Sequence, residues 1–301
     1  MRVLVTGGSG FLGAWIVRRL LERGVEPRVF DVNASRATVA EIAGDDVAST
    51  LDWRIGDIRS IEDVTRAAEG CEGVVHLAGV LTPACRDDPV RGAQINLIGT
   101  LNVFEVARRH GFRSVVYASS AGVFGPDDAA NPRPTTHYGA FKLACEGSAR
   151  AYWADVGLPS IGFRPLVVYG PGRELGLSAG PSLACRAAAR GEHYEHPFTG
   201  TSGFVYVDDC AALFENALFA KAEGAQVYNV IGDVASVDDV LAEIRRNVPD
   251  ARLTASGPPL PIAPGVFEEG LDALLPARPR TSLAGGIRAT VDHYRARSQR
   301  A

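Results

Sequence analysis

The chain has 301 residues, of which 46% are hydrophobic and 22% charged, so it can fill a larger core than a typical single domain has. Its formal net charge of −4 argues against a nucleic-acid partner held through phosphate contacts. No apolar run is long enough to span a membrane, and the sequence enters a strand pattern at Arg2 without a signal-like leader, so we expect no membrane partner and a cytoplasmic location. Five scattered cysteines without ligand spacing predict neither a disulfide framework nor a metal site.

Short β-branched runs alternate with amphipathic stretches through the first half of the chain. The predicted strands there span residues 3–6, 28–31, 51–55, 74–77, 114–119 and 160–168. The predicted helices span residues 11–23, 61–69 and 90–110, and one more follows Tyr138. Strands that alternate with helices predict an α/β fold of the Rossmann type, with a doubly wound parallel sheet covered on both faces. Later helices are predicted at 182–190, 208–219 and 238–247, and a strand at 227–230.

The alternation of predicted strands and helices is interrupted at Tyr169-Gly170-Pro171-Gly172, where the composition predicts a turn. We interpret this break as the point where the chain enters a smaller, discontinuous substrate-binding lobe. The predicted dinucleotide-binding domain comprises residues 1–165 with 203–235. The predicted substrate-binding lobe comprises residues 166–202 with 236–301.

A glycine-rich segment, Thr6 to Gly13, follows the first predicted strand and opens the first predicted helix. In this position Gly7 permits a tight turn, Gly10 lets backbone N–H groups approach a pyrophosphate, and Gly13 lets the helix pack closely. Asp31 ends the second strand, where a carboxylate can bind ribose hydroxyls and repel a 2′-phosphate. The sequence therefore favours NAD over NADP as cofactor, although Arg36 lies near enough in sequence to weaken that preference.

Tyr138 and Lys142 stand four positions apart in a predicted helix and therefore share one helix face. An ammonium beside a phenol favours the phenolate form. By itself this spacing is also met by chance, with a solvated lysine and a half-buried tyrosine.

A series of motifs in fixed order resembles the extended short-chain dehydrogenase/reductases, also called the NAD-dependent epimerase/dehydratase family. The resemblance covers almost the whole chain. Its motifs are the glycine segment 6–13, Gly56-Asp57-Ile58-Arg59, His76-Leu77-Ala78-Gly79, Asn96 with Gly99, Thr100 and Asn102, segment 119–125, Tyr138 with Lys142, segment 164–172, segment 204–211, and Pro279 to Leu283 followed by Gly286-Ile287.

The resemblance implies three catalytic residues. Tyr138 would be the general acid/base, Lys142 would bind the nicotinamide ribose and assist the tyrosine, and Ser120 would hydrogen-bond the reacting oxygen. Ser119 is expected to be structural, and His76 is expected to be a core histidine. Together with the glycine segment and Asp31, the predicted cofactor-binding residues are Gly7, Gly10, Phe11, Leu12, Gly13, Asp31, Asp57, Ile58, Leu77, Ala78, Gly79, Asn96, Tyr138, Lys142 and Pro165.

Departures from the family pattern narrow the expected reaction. Ala121 and Gly122 replace the Asp-Glu pair of the sugar-nucleotide dehydratases, so elimination lacks its acid and base. No arginine precedes Phe204 in Thr201-Ser202-Gly203, and Val167 replaces an asparagine, so two contacts to a nucleotide-sugar are missing. Arg186 or Arg190 could substitute for the missing arginine, although both are also compatible with solvated helix charges.

These features favour hydride transfer to or from a secondary alcohol or carbonyl of a small substrate without a nucleotide, such as a sugar, sugar acid or lactone. Arg173 could clamp a carboxylate in bidentate fashion, or it could pair with Glu174 or solvent. Two histidines in Gly191 to His196 lack a third ligand, so we expect no metal. The predicted substrate-binding residues are Thr82, Ser120, Tyr138, Arg173, Ser178 and His193.

Two other functions remain open from the sequence. The first is a sugar or nucleotide-sugar epimerase that uses tightly bound NAD. The second is a non-catalytic NAD-binding regulator, which the intact serine, tyrosine and lysine set disfavours. The helices predicted at 90–110 and 138–152 resemble those through which family members pair, so a homodimer is expected.

Overall fold

The computed structural model describes residues 1–113, 115–221 and 223–299. Its strands are β1 (Arg2–Thr6), β2 (Glu26–Asp31), β3 (Asp52–Ile55), β4 (Gly73–His76), β5 (Val115–Ala118), β6 (Ser160–Pro165), β7 (Val167–Tyr169), β8 (Tyr194–His196), β9 (Thr201–Tyr206), β10 (Ala225–Val230), β11 (Asp233–Ser236) and β12 (Leu253–Ala255). Its helices are α1 (Phe11–Glu22), α2 (Ala37–Ala43), α3 (Asp45–Thr50), α4 (Ile61–Ala68), α5 (Thr82–Asp87), α6 (Pro89–Ala93), α7 (Gly99–His110), α8 (His137–Val156), α9 (Gly180–Arg190), α10 (Val207–Ala217), α11 (Val237–Asn247), α12 (Leu271–Leu274) and α13 (Leu283–Ser298).

A seven-stranded sheet forms the centre of the molecule, in the order β10-β6-β5-β4-β1-β2-β3. All of its strand pairs are parallel. Val3, Val5, Val75 and Val116 on these strands are fully buried, because helices cover both faces and each strand must be apolar on both sides. The predicted α/β fold with a doubly wound parallel sheet is confirmed.

The strand order reverses at β1, which lies between β2 and β4. The chain moves outward from β1 to β3, then crosses back to place β4 on the other side of β1. Loops that leave the carboxyl ends of β1 and β4 therefore diverge, and in such sheets the crevice between them is where ligands bind. The glycine segment leaves β1 at this crevice.

The segment predicted as one strand, 160–168, is two strands in different sheets. Leu166 separates β6, which lies in the central sheet, from β7, which pairs with β9 in a small sheet of order β11-β9-β7. A second small sheet pairs β8 with β12. These small sheets draw on segments both before and after residue 203, and the predicted division into two lobes stays a prediction.

The helix predicted at 90–110 is also interrupted. A π-helical turn at Gln94–Ile98 separates α6 from α7 and carries Asn96 inward, where its side chain is fully buried. Such turns widen a helix locally and often occur at functional sites.

Within the described ranges, no helix combines the length and the apolar character needed to cross a bilayer. The same residues contain no group of three or more His, Cys, Asp or Glu side chains able to hold a metal ion. The cytoplasmic location stays a prediction.

Candidate active site

The glycine turn between β1 and α1 is closely packed on one side and open on the other. Gly7 has a φ of +71°, and a Cβ there would lie 2.8 Å from the Ala78 backbone nitrogen. A Cβ on Gly13 would lie 2.5 Å from the Gly7 carbonyl oxygen, so this glycine lets α1 begin directly on the turn. A Cβ on Gly10 would meet only the Gly7 carbonyl oxygen, at 3.2 Å, and no side chain among the described residues caps α1. The first N–H groups of α1 are thus available to an anion.

Asp31, at the end of β2, lies beside this turn. Its carboxylate accepts hydrogen bonds from Ser9 Oγ at 2.6 Å and from the Asn33 N–H at 3.1 Å. Arg36 points to other partners, since its guanidinium lies 5.4 Å from the Trp53 ring centroid and donates to the Ser49 carbonyl at 3.4 Å. The negative charge of Asp31 is therefore not neutralised by Arg36.

Asp57 and Ile58 follow β3 on the same edge of the sheet. Arg59 clasps the Asp57 carboxylate, and its hydrogen bonds hold the pKa of Asp57 below the ordinary value. Asn102 of α7 donates from its side-chain amide to the Ile58 carbonyl at 3.0 Å, which ties this loop to the helix. Ile58 itself is buried against Gly99.

His76 lies in the core between two threonines. Its Nδ1 is 2.7 Å from Thr6 Oγ1, and its Nε2 is 2.9 Å from Thr100 Oγ1. Thr100 donates its hydroxyl proton to the Asn96 carbonyl, so Nε2 must be the protonated nitrogen and Thr6 donates to Nδ1. Burial and the nearby Lys142 charge lower the pKa of His76 to about 3, so it is a neutral core histidine.

The loop after β4 closes the crevice beside the glycine turn. The Leu77 N–H donates to the Thr6 carbonyl at 3.0 Å, and the Ala78 N–H donates to Thr6 Oγ1 at 3.3 Å. A Cβ on Gly79 would lie 2.5 Å from the Asn96 side-chain oxygen, which is buried and has no hydrogen-bond partner within the described chain. The Asn96 amide donates to the Val80 carbonyl at 3.1 Å and so holds the loop in place.

The predicted tyrosine and lysine lie on α8, and the lysine contacts the carboxyl end of β5. Thr136 caps the helix by accepting the Gly139 N–H at 3.1 Å, which places Tyr138 in the first turn and Lys142 in the second. Lys142 is only 4% exposed, and its Nζ donates to the Ala118 carbonyl at 2.7 Å. The same Nζ lies 5.7 Å from the centroid of the Tyr138 ring. The ammonium is thus fixed between the end of β5 and the phenol.

Ser120 lies just beyond the carboxyl end of β5. Its Oγ accepts the Gly122 N–H at 3.1 Å, and a Cβ on Gly122 would lie 3.3 Å from that oxygen and 3.8 Å from the Tyr138 ring. The serine hydroxyl and the tyrosine ring therefore flank the same point. A longer side chain at position 122 would enter the space between them.

Ser119 has a different role from its neighbour. It donates to Glu146 of α8 at 2.5 Å, and Glu146 also receives the Nε of Arg164 at 2.7 Å. Glu146 is fully buried and stands one helical turn beyond Lys142. Glu146 was not predicted from the sequence, although its spacing of four from Lys142 is the same signal that identified Tyr138.

Arg173 follows the Gly170 to Gly172 turn and reaches towards the crevice. Its guanidinium donates to Ser178 Oγ at 2.9 Å and lies 5.3 Å from the Phe11 ring centroid. Glu174 pairs with Arg186 instead of Arg173. Burial lowers the pKa of Arg173, and the Tyr138 phenol acts in the opposite direction.

The remaining predicted residues differ in their relation to this crevice. Pro165 ends β6 at the same sheet edge, and Leu12 lies in the first turn of α1. Thr82 begins α5 directly after Leu81, whose Cδ1 would lie 2.8 Å from a Cβ on Gly176. His193 is exposed just before β8, and within the described chain no hydrogen bond or ion pair joins it to Ser120, Tyr138 or Lys142.

Comparison with known proteins places this arrangement in a family. Residues 3–230 match the model of the NAD dependent epimerase/dehydratase family. The chain belongs to this family. The chain is 31% identical over 168 residues to a bifunctional UDP-glucose 4-epimerase and UDP-xylose 4-epimerase of Pisum sativum. The match covers 50% of this chain and 47% of the pea enzyme. The match thus spans about half the length of the pea enzyme.

Two further relatives match most of this chain. The chain is 30% identical to the human 3 beta-hydroxysteroid dehydrogenase type 7, with 90% of this chain and 79% of the human protein covered. Its fold matches the crystal structure of the Thermus thermophilus UDP-glucose 4-epimerase in complex with NAD, with a TM-score of 0.84, 29% identity, and coverage of 98% and 99% of the two chains. An epimerase and a dehydrogenase are therefore both among the relatives of this chain.

The crevice of this family member fits a dinucleotide. The uncapped first turn of α1 and the open side of Gly10 suit a pyrophosphate, and the Asp31 carboxylate at the end of β2 suits a ribose. The buried side-chain oxygen of Asn96, which has no hydrogen-bond partner among the described residues, lies beside Gly79.

Proposed function

We propose that this protein is an NAD-dependent oxidoreductase that moves a hydride to or from a secondary alcohol or carbonyl of a small substrate without a nucleotide. The observation that carries the proposal is that the Lys142 ammonium and the Ser120 hydroxyl both lie close to the Tyr138 ring at the carboxyl end of β5, in the sheet whose β1 carries the glycine turn. NAD, when bound, supplies a nicotinamide ring that accepts or returns a hydride.

The chain's own residues would handle the proton and the substrate oxygen. Ser120 donates a hydrogen bond to that oxygen and orients it. Tyr138 takes the hydroxyl proton during oxidation and returns it during reduction. Lys142 is held by the Ala118 carbonyl, so its charge stays beside the phenol through the reaction.

The surroundings of the crevice support a small substrate. Gly122 leaves no carboxylate between Ser120 and Tyr138, so the acid and base of a dehydratase are missing. Arg186 pairs with Glu174 and so does not offer a free charge to a substrate diphosphate. A diphosphate without such a partner would bind poorly.

The second candidate is an epimerase, favoured by the UDP-glucose 4-epimerases among the relatives. An epimerase would re-reduce its ketone on the other face and keep its cofactor. A dehydrogenase would release the ketone and accumulate NADH.

The test uses the purified chain with NAD and a panel of sugars, aldonates, uronates and steroid-like alcohols. We expect NADH in stoichiometric amounts with at least one substrate and a loss of about 100-fold or more in rate for Tyr138→Phe. Tyr228→Phe is the matched control, since the Tyr228 hydroxyl contacts Gln226 on its own strand at 2.9 Å. Conversion to an epimer without NADH would support the epimerase instead, and an unchanged rate in Tyr138→Phe would contradict both.

We also propose a homodimer. Apolar side chains that belong to α6 and α8 face solvent, namely Val90 at 70%, Trp153 at 40% and Val156 at 50% exposure. Trp153 and Val156 lie three positions apart at the C-terminal end of α8, so these two side chains can form one self-complementary surface.

A further inference from the structure

Arg173 differs from every other largely buried arginine in the described ranges because no carboxylate lies within ion-pair distance of it. Arg28 is 5% exposed and pairs with Asp52 at 2.7 Å. Arg278 is 8% exposed and pairs with Glu268, while Arg164 pairs with Glu146. A buried charge is normally compensated in this way, because an uncompensated one costs much more than an exposed one.

The guanidinium of Arg173 is held by groups that do not cancel its charge. Ser178 Oγ accepts one N–H at 2.9 Å, and the Phe11 ring faces the guanidinium at 5.3 Å. The Nε is buried, and no described residue forms a hydrogen bond with it. A Cβ on Gly176 would lie 3.5 Å from Nη2, the nitrogen that donates to Ser178, and 2.8 Å from Leu81 Cδ1, so the guanidinium and Leu81 meet at Gly176.

The turn that carries Arg173 is fixed by two distant elements. Trp15 of α1 donates its indole N–H to the Pro171 carbonyl at 3.0 Å. The Gly172 N–H donates to the Tyr294 hydroxyl of α13 at 3.1 Å. The guanidinium is therefore positioned before any ligand arrives, which reduces the ordering cost of binding.

We propose that Arg173 binds the carboxylate of the substrate, so that the substrate class of the hydride transfer is a hydroxy acid or its keto acid. The proposal rests on the proposed function, since it assigns the substrate of that same site. The side chain is partly exposed, and the terminal N–H groups that do not donate to Ser178 can hold a carboxylate through two parallel hydrogen bonds. Arg173 is then a specificity-determining residue rather than a catalytic one.

Two other oxyanions could in principle meet this guanidinium: the diphosphate of a nucleotide-sugar and the pyrophosphate of the dinucleotide. A diphosphate carries two charges, whereas one unpaired guanidinium compensates one. The dinucleotide pyrophosphate already has the uncapped start of α1. A single carboxylate therefore matches the site best.

The experiment measures ligand binding to the NAD-loaded protein by thermal shift and calorimetry. The probes are gluconate, glucuronate and 3-hydroxybutyrate, each beside a neutral counterpart (sorbitol, glucose and butane-1,3-diol), with UDP-glucose as the diphosphate probe. We expect at least one acid to bind the wild type more tightly than its counterpart. Arg173→Met should weaken that binding about 30-fold or more, and Arg173→Lys should restore part of it.

Arg186→Met is the matched control, because it removes a nearby arginine that is already paired. It should leave acid binding unchanged, and both Arg173 variants should bind NADH as the wild type does. The proposal is overturned if no acid binds more tightly than its neutral counterpart, or if Arg173→Met binds the acid as tightly as the wild type does. It is also overturned if Arg173 affects the binding of UDP-glucose but of no acid, or if the Arg173 variants bind NADH more weakly as well.

The binding assay separates this proposal from the proposed function. Acid binding that depends on Arg173 without NADH formation would retain the carboxylate site and remove the dehydrogenase. NADH formation from neutral alcohols at equal rates in wild type and Arg173→Met would support the dehydrogenase and exclude the carboxylate site.

Discussion

At the scale of single residues, the polar groups buried beneath the crevice connect its parts. His76 links Thr6, next to the glycine turn, with Thr100, which in turn donates to the Asn96 carbonyl. The sequence motif identified His76 as a core residue, because a histidine at the end of an apolar strand has few other uses. It could not identify the two threonines as its partners, since they lie 70 and 24 residues away.

This buried imidazole predicts an acid-sensitive contribution to stability. The folded-state pKa of His76 is lowered to about 3, whereas an unfolded imidazole titrates near its ordinary value of 6.5. Below pH 6.5 the imidazole of the unfolded chain binds a proton, whereas the buried imidazole of the folded chain stays neutral. The free energy of unfolding therefore falls as pH falls. Between pH 7 and pH 5 this loss is about 2 kcal/mol.

Urea unfolding of the wild type and His76→Gln at both pH values checks this. The variant should be less stable at pH 7, and it should lose about 2 kcal/mol less than the wild type between the two pH values. His110→Gln, at an exposed position, controls for the removal of one imidazole. Equal losses in wild type and His76→Gln would contradict the prediction.

At the scale of elements, α8 is fixed by one stripe of residues at a spacing of four. Tyr138, Lys142 and Glu146 share a helix face. Lys142 contacts the end of β5, and Glu146 contacts Ser119 and Arg164 at the ends of β5 and β6. The carboxylate therefore sets the position of α8 relative to the sheet, and with it the position of the phenol.

Breaking this ion pair should loosen the helix. Glu146→Gln leaves the Arg164 guanidinium, which is 14% exposed, without a charged partner, so we expect a loss of about 3 kcal/mol in the free energy of unfolding. Activity should also fall, through a lower kcat, because Tyr138 and Lys142 lose their fixed placement. Denaturant unfolding and steady-state kinetics measure the two effects.

Glu105→Gln is the control for this change. Glu105 pairs with Arg108 and Arg109 on the exposed side of α7, where such pairs contribute little. A loss in Glu146→Gln no larger than in Glu105→Gln would show that the buried pair does not hold α8.

At the scale of the whole molecule, the sequence predicted the part of the fold that follows local patterns. The central strands, the glycine turn and the long helices carry their own periodicity and turn residues, so they could be identified. The small sheets could not. For example, β8 pairs with β12 across more than fifty residues, and three-residue strands carry almost no periodic signal. The sequence pattern also identified Arg173 as a candidate. It could not show that no carboxylate among the described residues pairs with Arg173, because that depends on the packing of distant elements.

Among the described residues, the C-terminal end of α8 has a composition that suits pairing with a second copy. Trp153 and Val156 are exposed there three positions apart, and an isolated protomer would leave this apolar surface in water. Burying it against its own copy by a two-fold axis would remove it from solvent without a second protein. In such a dimer Trp153 would provide the large aromatic contact that commonly dominates interfaces.

We therefore expect light scattering to give twice the 31.9 kDa mass of the chain for the wild type. The double variant Trp153→Glu, Val156→Glu should have the mass of one chain, because two carboxylates in the interface would be desolvated without partners. Val234→Glu is the control, since Val234 is 68% exposed on β11 and lies on another element. A dimer that survives the double variant would place the interface elsewhere, and a wild type with the mass of one chain would contradict the homodimer.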